Sequence, residues 1–447
     1  MGFSAAALLA VLETHTPPAV TGFIVALSGG EDSACLLAAL VHAGSRPFRG
    51  LPVRAIHVDH GLQPAAADFL HACAELCGRL AVPLTVIAVN VAAARGVSVE
   101  AAARDARYAA LARHLGTGEC LLTAHHADDQ AETLLLQLLR GAGLKGMAAM
   151  PVCRQWHGGW LMRPLLHVTQ RDLHRFGASA GVTAVADPMN DDMRFDRAYL
   201  RRQVWPLIEA RWPGAATALS RTAGHVADAQ GLLDRAAAQA VGLLRDGEAL
   251  SVAGLRALPA PEQINILRYW IAANSATLPS TARLHEALRQ IMSADADHQP
   301  AVIWAGYALR RYRNRLFLTP AAPPALQEQR EWPVADESTL DLGGGLGVLQ
   351  WSPQIGGLDA ARLPRTLVVQ RRRGGETLKV QRHARTRSLQ HLCQAAGMLP
   401  WMRDALPLVY AGRDLIAVGD LWQDARWCVD PGSPGFGCVW RGAPILV

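Results

Sequence analysis

Between Gly22 and Arg140 short apolar runs alternate with helical patterns, and this constrains the fold more than any other property of the 447-residue chain. The apolar runs cover 23–27, 53–58, 84–89 and 120–123, and the helical patterns cover about 32–42, 64–80, 98–114 and 127–139. Strands joined by helices run parallel through right-handed crossovers, so the expected fold class is α/β, a doubly wound parallel sheet. That domain is expected over 1–213. In such sheets ligands bind beyond the carboxyl ends of the strands, where the chemistry-bearing residues of this chain also fall.

Past 214 the pattern changes to amphipathic helices, notably 216–244 and 261–273, closing with an expected hairpin over 307–318 turned at Arg313-Asn314. A helical second domain is expected over 214–320. The run Ala321-Ala322-Pro323-Pro324-Ala325 reads as a linker, and glycine pairs with short apolar runs predict a small α+β domain over 327–447. With half of its residues hydrophobic and 18% charged, the chain is neither disordered nor fibrous. No segment offers about 18 uncharged apolar residues, and 5–12 is short and lacks a basic run before it, so no membrane span or signal peptide is expected and the expected compartment is the cytoplasm. Eight cysteines, none in Cys-x-x-Cys, predict reduced thiols without a metal site.

The stretch Ser28-Gly29-Gly30-Glu31-Asp32-Ser33 follows an apolar strand and opens a helix. Two glycines let the backbone approach a phosphate, successive N–H groups point at it, and the helix dipole adds positive potential. Ser28 and Ser33 can donate hydroxyl bonds. Asp32 would repel a phosphate unless a cation intervenes, which predicts Mg²⁺ between carboxylate and pyrophosphate. The lysine of a Walker loop is missing.

Ser-Gly-Gly-x-Asp-Ser is the motif of the PP-loop ATP pyrophosphatases, which the sequence resembles. Within that superfamily it resembles the tRNA(Ile)-lysidine synthetases, in their long form with C-terminal tRNA-binding domains. The blocks that carry the likeness are His57-Val58-Asp59-His60-Gly61-Leu62, Glu100-Ala101-Ala102-Ala103-Arg104-Asp105-Ala106-Arg107-Tyr108, Thr123 through Thr133, Arg140 through Gly146, Arg163-Pro164-Leu165-Leu166, and Asp187-Pro188 with Asn190. The resemblance implies adenylation of the wobble cytidine of an isoleucine tRNA with a CAU anticodon. Free L-lysine then displaces AMP to form lysidine. ATP as co-substrate, Mg²⁺, tRNA(Ile) and free lysine are the implied partners; family members are often homodimers.

On that reading Ser28, Gly29, Gly30, Glu31, Asp32, Ser33, His57 and Asp59 contact ATP. Asp129 and Glu132, three apart and so on one helix face, grip the cationic groups of lysine; the same pair would also serve as an acidic first helical turn. Asp128 faces elsewhere. His125 contacts phosphate or accepts a proton, while His126 is structural. Arg197 and Arg201 handle charge on the reacting nucleotide, although Ala198 stands where the family pattern has Asn. Arg104 and Arg107 share a helix face and reach a phosphate of ATP or tRNA. From 362 to 403 ten Arg or Lys face a single acid, Glu376, against a net charge of +6 for the whole chain. Arg371, Arg372, Arg373, Lys379 and Arg403 are therefore expected to meet tRNA phosphates. Two other readings are a PP-loop tRNA thiolase, disfavoured by the missing Cys-x-x-Cys pairs, and a non-catalytic RNA-binding protein on a retained nucleotide fold.

Overall fold

The computed structural model describes residues 2–42, 48–59, 66–89, 99–182, 195–274, 276–294, 300–335 and 338–444. The motif residues 60–62 and 187–190 lie outside them. Two compact units emerge, Met1–Asp234 and Arg235–Val447.

The first unit is a six-stranded sheet flanked by helices. Its strands are β1 (Gly22–Ala26), β2 (Val53–Asp59), β3 (Leu84–Ala88), β4 (Glu119–Leu122), β5 (Cys153–Trp156) and β6 (Gly159–Met162). The helices are α1 (Ala5–His15), α2 (Glu31–His42), α3 (Ala66–Leu80), α4 (Val99–Arg113), α5 (Ala127–Leu139), α6 (Leu144–Met147), α7 (Gln170–Ser179), α8 (Asp196–Tyr199) and α9 (Trp205–Arg211). The strand order is β3-β2-β1-β4-β6-β5. All neighbours pair in parallel except β5, which turns back on β6 as an antiparallel edge. That edge hairpin is an addition to the parallel sheet expected from the alternation.

Strand β1 is central because all its side chains are apolar. Phe23, Ile24 and Val25 are buried on both faces, Phe23 and Val25 beneath α1 and α2, Ile24 with Ile56, Leu111 and Leu121 beside α4. The chain leaves β1 for β2 on one side and reaches β4 on the other. A crevice therefore opens between the loops that follow β1 and β4, at the point where strand order reverses.

Helix α10 (Ala215–Leu244) carries the chain into the second unit. There β7 (Arg245–Asp246), β8 (Ala249–Ser251), β9 (Ala301–Trp304), β10 (Tyr307–Tyr312) and β11 (Arg315–Pro320) form an antiparallel sheet in the order β7-β8-β11-β10-β9. Packed on it are α11 (Val252–Arg256), α12 (Ala260–Ala273) and α13 (Thr281–Ser293). The expected helices are present, and the expected hairpin is the β10–β11 pair, with Tyr312 opposite Arg315. The remaining chain is α+β, as expected: α14 (Leu389–Ala395) joins antiparallel strands, a five-stranded sheet including Thr366–Gln370 and Asp414–Val418 and a three-stranded sheet including Val348–Ile355, in one core with Trp332 and Trp351 edge to face. Among the described residues no helix is long and apolar enough to cross a membrane.

Candidate active site

The loop between β1 and α2 is knitted by its own serines. Ser33 Oγ donates to the Gly30 carbonyl at 3.0 Å and accepts from the Ser28 N–H at 3.1 Å, and the two hydroxyl oxygens lie 3.0 Å apart. Ser33 is buried, so its hydroxyl shapes the loop. Gly29 has φ +90°, and a Cβ there would stand 2.9 Å from Cβ of Phe69 on α3. Both facts exclude a side chain. Gly29→Ala is expected to cost about 2 kcal/mol or more through strain and overpacking, and to weaken ATP binding. Urea unfolding and an ATP titration would measure both, and wild-type values would show that the loop relaxes.

A cleft of about 240 Å³ lies over this loop and the β4 end. Ile56, Val58 and Leu111 make an apolar wall; Ser28, Asp32 and Ser33 form one polar edge; Thr123, His125 and Asp129 form another. Tyr108 and Arg107 also line it, and Arg104 and Arg107 hold their guanidinium carbons 5.2 and 5.8 Å from the Tyr108 ring centroid. His57 and Asp59, expected among the nucleotide contacts, do not line the cleft. Strand side chains alternate faces, so Ile56 and Val58 face the cleft while His57 lies buried on the other side, its Nδ1 2.9 Å from the Leu27 carbonyl and 3.5 Å from Cys73 Sγ.

Helix α5 delivers the acidic groups. Its N-cap is His126, whose N–H donates to Asp129 Oδ2 at 3.1 Å, the backward half of a capping box. Gln130, buried, fastens the helix to the Met150 backbone through both amide atoms, at 2.9 and 3.0 Å. Asp128 points away from the cleft and accepts from the Gln170 N–H at 2.8 Å, capping α7.

Glu132 is only 2% exposed and spends both oxygens on guanidinium groups. Arg201 Nε donates to Oε1 at 2.6 Å, Arg197 Nε to Oε2 at 2.9 Å, and Arg201 reaches Asp129 Oδ1 at 3.1 Å. The two arginines expected to handle the nucleotide and the two carboxylates expected to hold lysine thus form one network. Of the carboxylates, Asp129 lines the cleft and Glu132 anchors the arginines behind it. A π-helical turn, Leu200–Val204, joins α8 to α9 and carries Arg201.

Two adjacent histidines are driven in opposite directions. Burial and the nearby Arg163, Arg104 and Arg197 depress the pKa of His125 against the pull of Asp129, so it is neutral, with Nδ1 2.9 Å from Thr123 Oγ1. Burial also disfavours charge on His126, but Asp128, Asp32 and Asp129 outweigh it and hold its pKa up at about 10. Its Nε2 lies 3.6 Å from Asp32 and 3.5 Å from Asp129, making it a cation tying the loop to α5. Opposed protonation in neighbouring groups marks acid–base sites. Burial resists ionisation of Asp129, yet the His126 cation and the guanidinium groups of Arg197 and Arg201 pull its pKa below the usual range.

Two residues given no role by sequence reasoning stand at this site. His174 on α7 places Nε2 3.2 Å from Asp32 Oδ1 and 3.5 Å from Glu31 Oε2. Arg163, 6% exposed, donates to the Pro151 carbonyl and adds to the field that neutralises His125. Arg163 belongs to a quoted motif, so its position was signalled; His174 belongs to none.

In the second unit Arg371, Arg372 and Arg373 line a separate groove of about 600 Å³ with Gln327, Gln329, Gln370 and Asp404. Lys379 and Arg403 do not line it. The Lys379 N–H donates to Asp424, and Arg403 donates to the Met398 carbonyl.

Comparison with known proteins covers most of the chain. The PP-loop domain family matches residues 6–208, the TilS substrate binding domain 250–317, and the TilS substrate C-terminal domain 367–440. The tRNA(Ile)-lysidine synthase of Alkalilimnicola ehrlichii is 38% identical, with 92% of each chain covered. The synthase of Coxiella burnetii is 36% identical over 94% of this chain and 92% of its own, and that of Methylococcus capsulatus 39% over 88% and 90%. With this identity sustained from the phosphate loop to the last domain, the chain belongs to the tRNA(Ile)-lysidine synthase family.

Proposed function

We propose that this protein joins free L-lysine to C2 of the wobble cytidine in the CAU anticodon of an isoleucine tRNA, converting ATP to AMP and pyrophosphate. The product base, lysidine, switches codon reading from AUG to AUA. The observation that carries the reading is the single cleft at the β1/β4 switch point, which joins a glycine phosphate loop to a carboxylate–arginine–histidine network. The apolar wall of Ile56, Val58 and Leu111 suits the adenine ring, and the amides of the Ser28–Ser33 loop suit the phosphates.

The cytidine C2 oxygen attacks the α-phosphorus and pyrophosphate leaves, giving an adenylated base. The ε-amine of lysine then attacks C2, AMP leaves, and a C–N bond replaces the C–O bond. An amide-like carbonyl is a poor electrophile, which is why adenylation must come first. Asp32 fits Mg²⁺, since its carboxylate is a hard oxygen donor, partly exposed beside the loop, of the kind that shares this ion with phosphates. A bound Mg²⁺ would offset charge on the departing pyrophosphate. Asp129 meets the lysine ammonium at the cleft, Arg197 and Arg201 offset charge on the AMP half, neutral His125 is placed to hydrogen-bond the reacting phosphate, and the proton lost by the amine passes to water. Mass spectrometry of nucleosides from isoleucine tRNA incubated with the protein, ATP and lysine tests the whole reading; unmodified cytidine would refute it.

The proposed division of labour keeps catalysis in 1–213 and gives 214–320 and 327–447 to tRNA. The protein is proposed to work in the cytoplasm as a homodimer. Neutralising Arg371, Arg372 and Arg373 together is expected to weaken tRNA binding and lower the slope of log K against log salt by about 2, taking about 0.7 per phosphate. Filter binding across a salt series would read this, and an unchanged slope would remove the groove from the interface.

A further inference from the structure

Helix α7 closes a ring of polar contacts around the phosphate loop. Its first residue, Gln170, donates its N–H to Asp128 at 2.8 Å; Asp128 lies 3.3 Å from His126 Nδ1; His126 Nε2 lies 3.6 Å from Asp32. The ring returns to α7 through His174, whose Nε2 stands 3.2 Å from Asp32 Oδ1 and 3.5 Å from Glu31 Oε2. Gly177 makes this approach possible. A Cβ there would come within 2.5 Å of Cys35 Sγ on α2, so α7 lies against α2 as closely as backbone allows, with Leu173 buried beneath. His174, one turn earlier on α7, is thereby held over the first turn of α2.

Glu31 and Asp32 put two carboxylates where a triphosphate tail has to enter, and a tail approaching them bare would be repelled. His126 cannot turn to meet it, being buried among three carboxylates, and Arg197 and Arg201 are engaged by Glu132 and Asp129. His174 keeps 39% of its side-chain surface exposed, so its ring can reorient without unpacking α7.

We propose that His174 is a positioning residue for the pyrophosphate end of the nucleotide. In the bare loop its Nε2–H rests between Asp32 Oδ1 and Glu31 Oε2. When β- and γ-phosphates fill the loop, the same N–H passes to a phosphate oxygen, and Asp32 Oδ1 is freed for a divalent cation. The proposal rests on the nucleotide-binding reading above and adds to it a residue from outside the loop motif.

Calorimetric titration of the full chain with inorganic pyrophosphate in the presence of Mg²⁺ tests the contact directly, and steady-state kinetics test its part in turnover. His174→Ala is expected to weaken pyrophosphate binding and raise the KM for ATP by about tenfold, the worth of one charge-assisted hydrogen bond. The kcat and the lysine KM should stay near wild type. His174→Gln, which restores an N–H donor, should recover most of the loss. Pyrophosphate affinity unchanged in His174→Ala would overturn the proposal. So would an affinity loss that glutamine fails to rescue and that accompanies a lower melting temperature, since this marks a packing role. Wild-type protein that binds neither pyrophosphate nor ATP would overturn the nucleotide reading itself.

Discussion

Glu132→Ala is expected to destabilise the first unit by about 3–5 kcal/mol, because it strands two guanidinium groups that share one buried carboxylate. Arg197 and Arg201 retain roughly a third of their surface, so water relieves part of the penalty and the lower end of that range is the better expectation. Asp129 Oδ1 offers Arg201 one remaining contact at 3.1 Å, and Arg197 keeps only the bonds from Nη2 to the Asp129 carbonyl at 3.2 Å and to Thr133 Oγ1 at 3.3 Å, neither of them to a carboxylate. The two arginines would then lose their fixed positions at the cleft, and lysidine formation should fall to background even in protein that remains folded. Glu132→Gln keeps the volume and removes the charge, which separates packing from electrostatics. Urea unfolding followed by circular dichroism, with the two units read as separate transitions, gives the stability. A wild-type midpoint for the alanine variant would mean that Glu132 does not anchor the pair.

Asp32→Asn is expected to slow tRNA-dependent pyrophosphate release by about 10²–10³ while leaving the fold intact. Asparagine preserves the shape at the start of α2 and can still meet His174, but it removes the anionic oxygen needed to hold a cation against the phosphates. It also takes one of three carboxylates from around His126, whose burial is otherwise compensated by Asp128 and Asp129. Loss of transition-state charge stabilisation at one such contact is worth about 10²–10³ in rate. Tracer exchange between pyrophosphate and ATP, run with tRNA and without lysine, isolates this step. Exchange at the wild-type rate would leave Asp32 without a role in it.

The sheet was legible in the sequence wherever a strand is buried on both faces. Strand β1 is five apolar residues in a row, and the spacing from it through α2 to β2 left little choice of topology. The edge hairpin was not legible. Strand β5, Cys-Arg-Gln-Trp, mixes polar and apolar residues, and β6, Gly-Trp-Leu-Met, is apolar but follows it after two residues with no helix between, so the pair does not fit the strand–helix alternation that reveals the others. The turn between them did carry a signal, since His157 and Gly158 both take positive φ, as a tight hairpin turn requires. The loop glycines and the acidic turn of α5 were readable because local chemistry dictates them. The facing of His57 was readable too, had the two-residue period of β2 been followed to its end. His174 was not readable at all, because its meaning comes from the close approach of α7 to α2, a contact between residues 142 apart in sequence.

The π-helical turn at Leu200–Val204 carries a consequence for how this chain can change length. Such a turn holds one residue more than an α-helix would, and each residue advances a helix by about 100°. Because the turn absorbs that residue as a local bulge, deleting one there would regularise the screw and leave the flanking helices nearly in phase. Loss of Leu200 would instead bring Arg197 and Arg201 from four residues apart to three and change how the pair meets Glu132. The extra residue therefore sets where Arg201 leaves the helix relative to Arg197, an offset on which the shared grip of the two arginines on Glu132 depends.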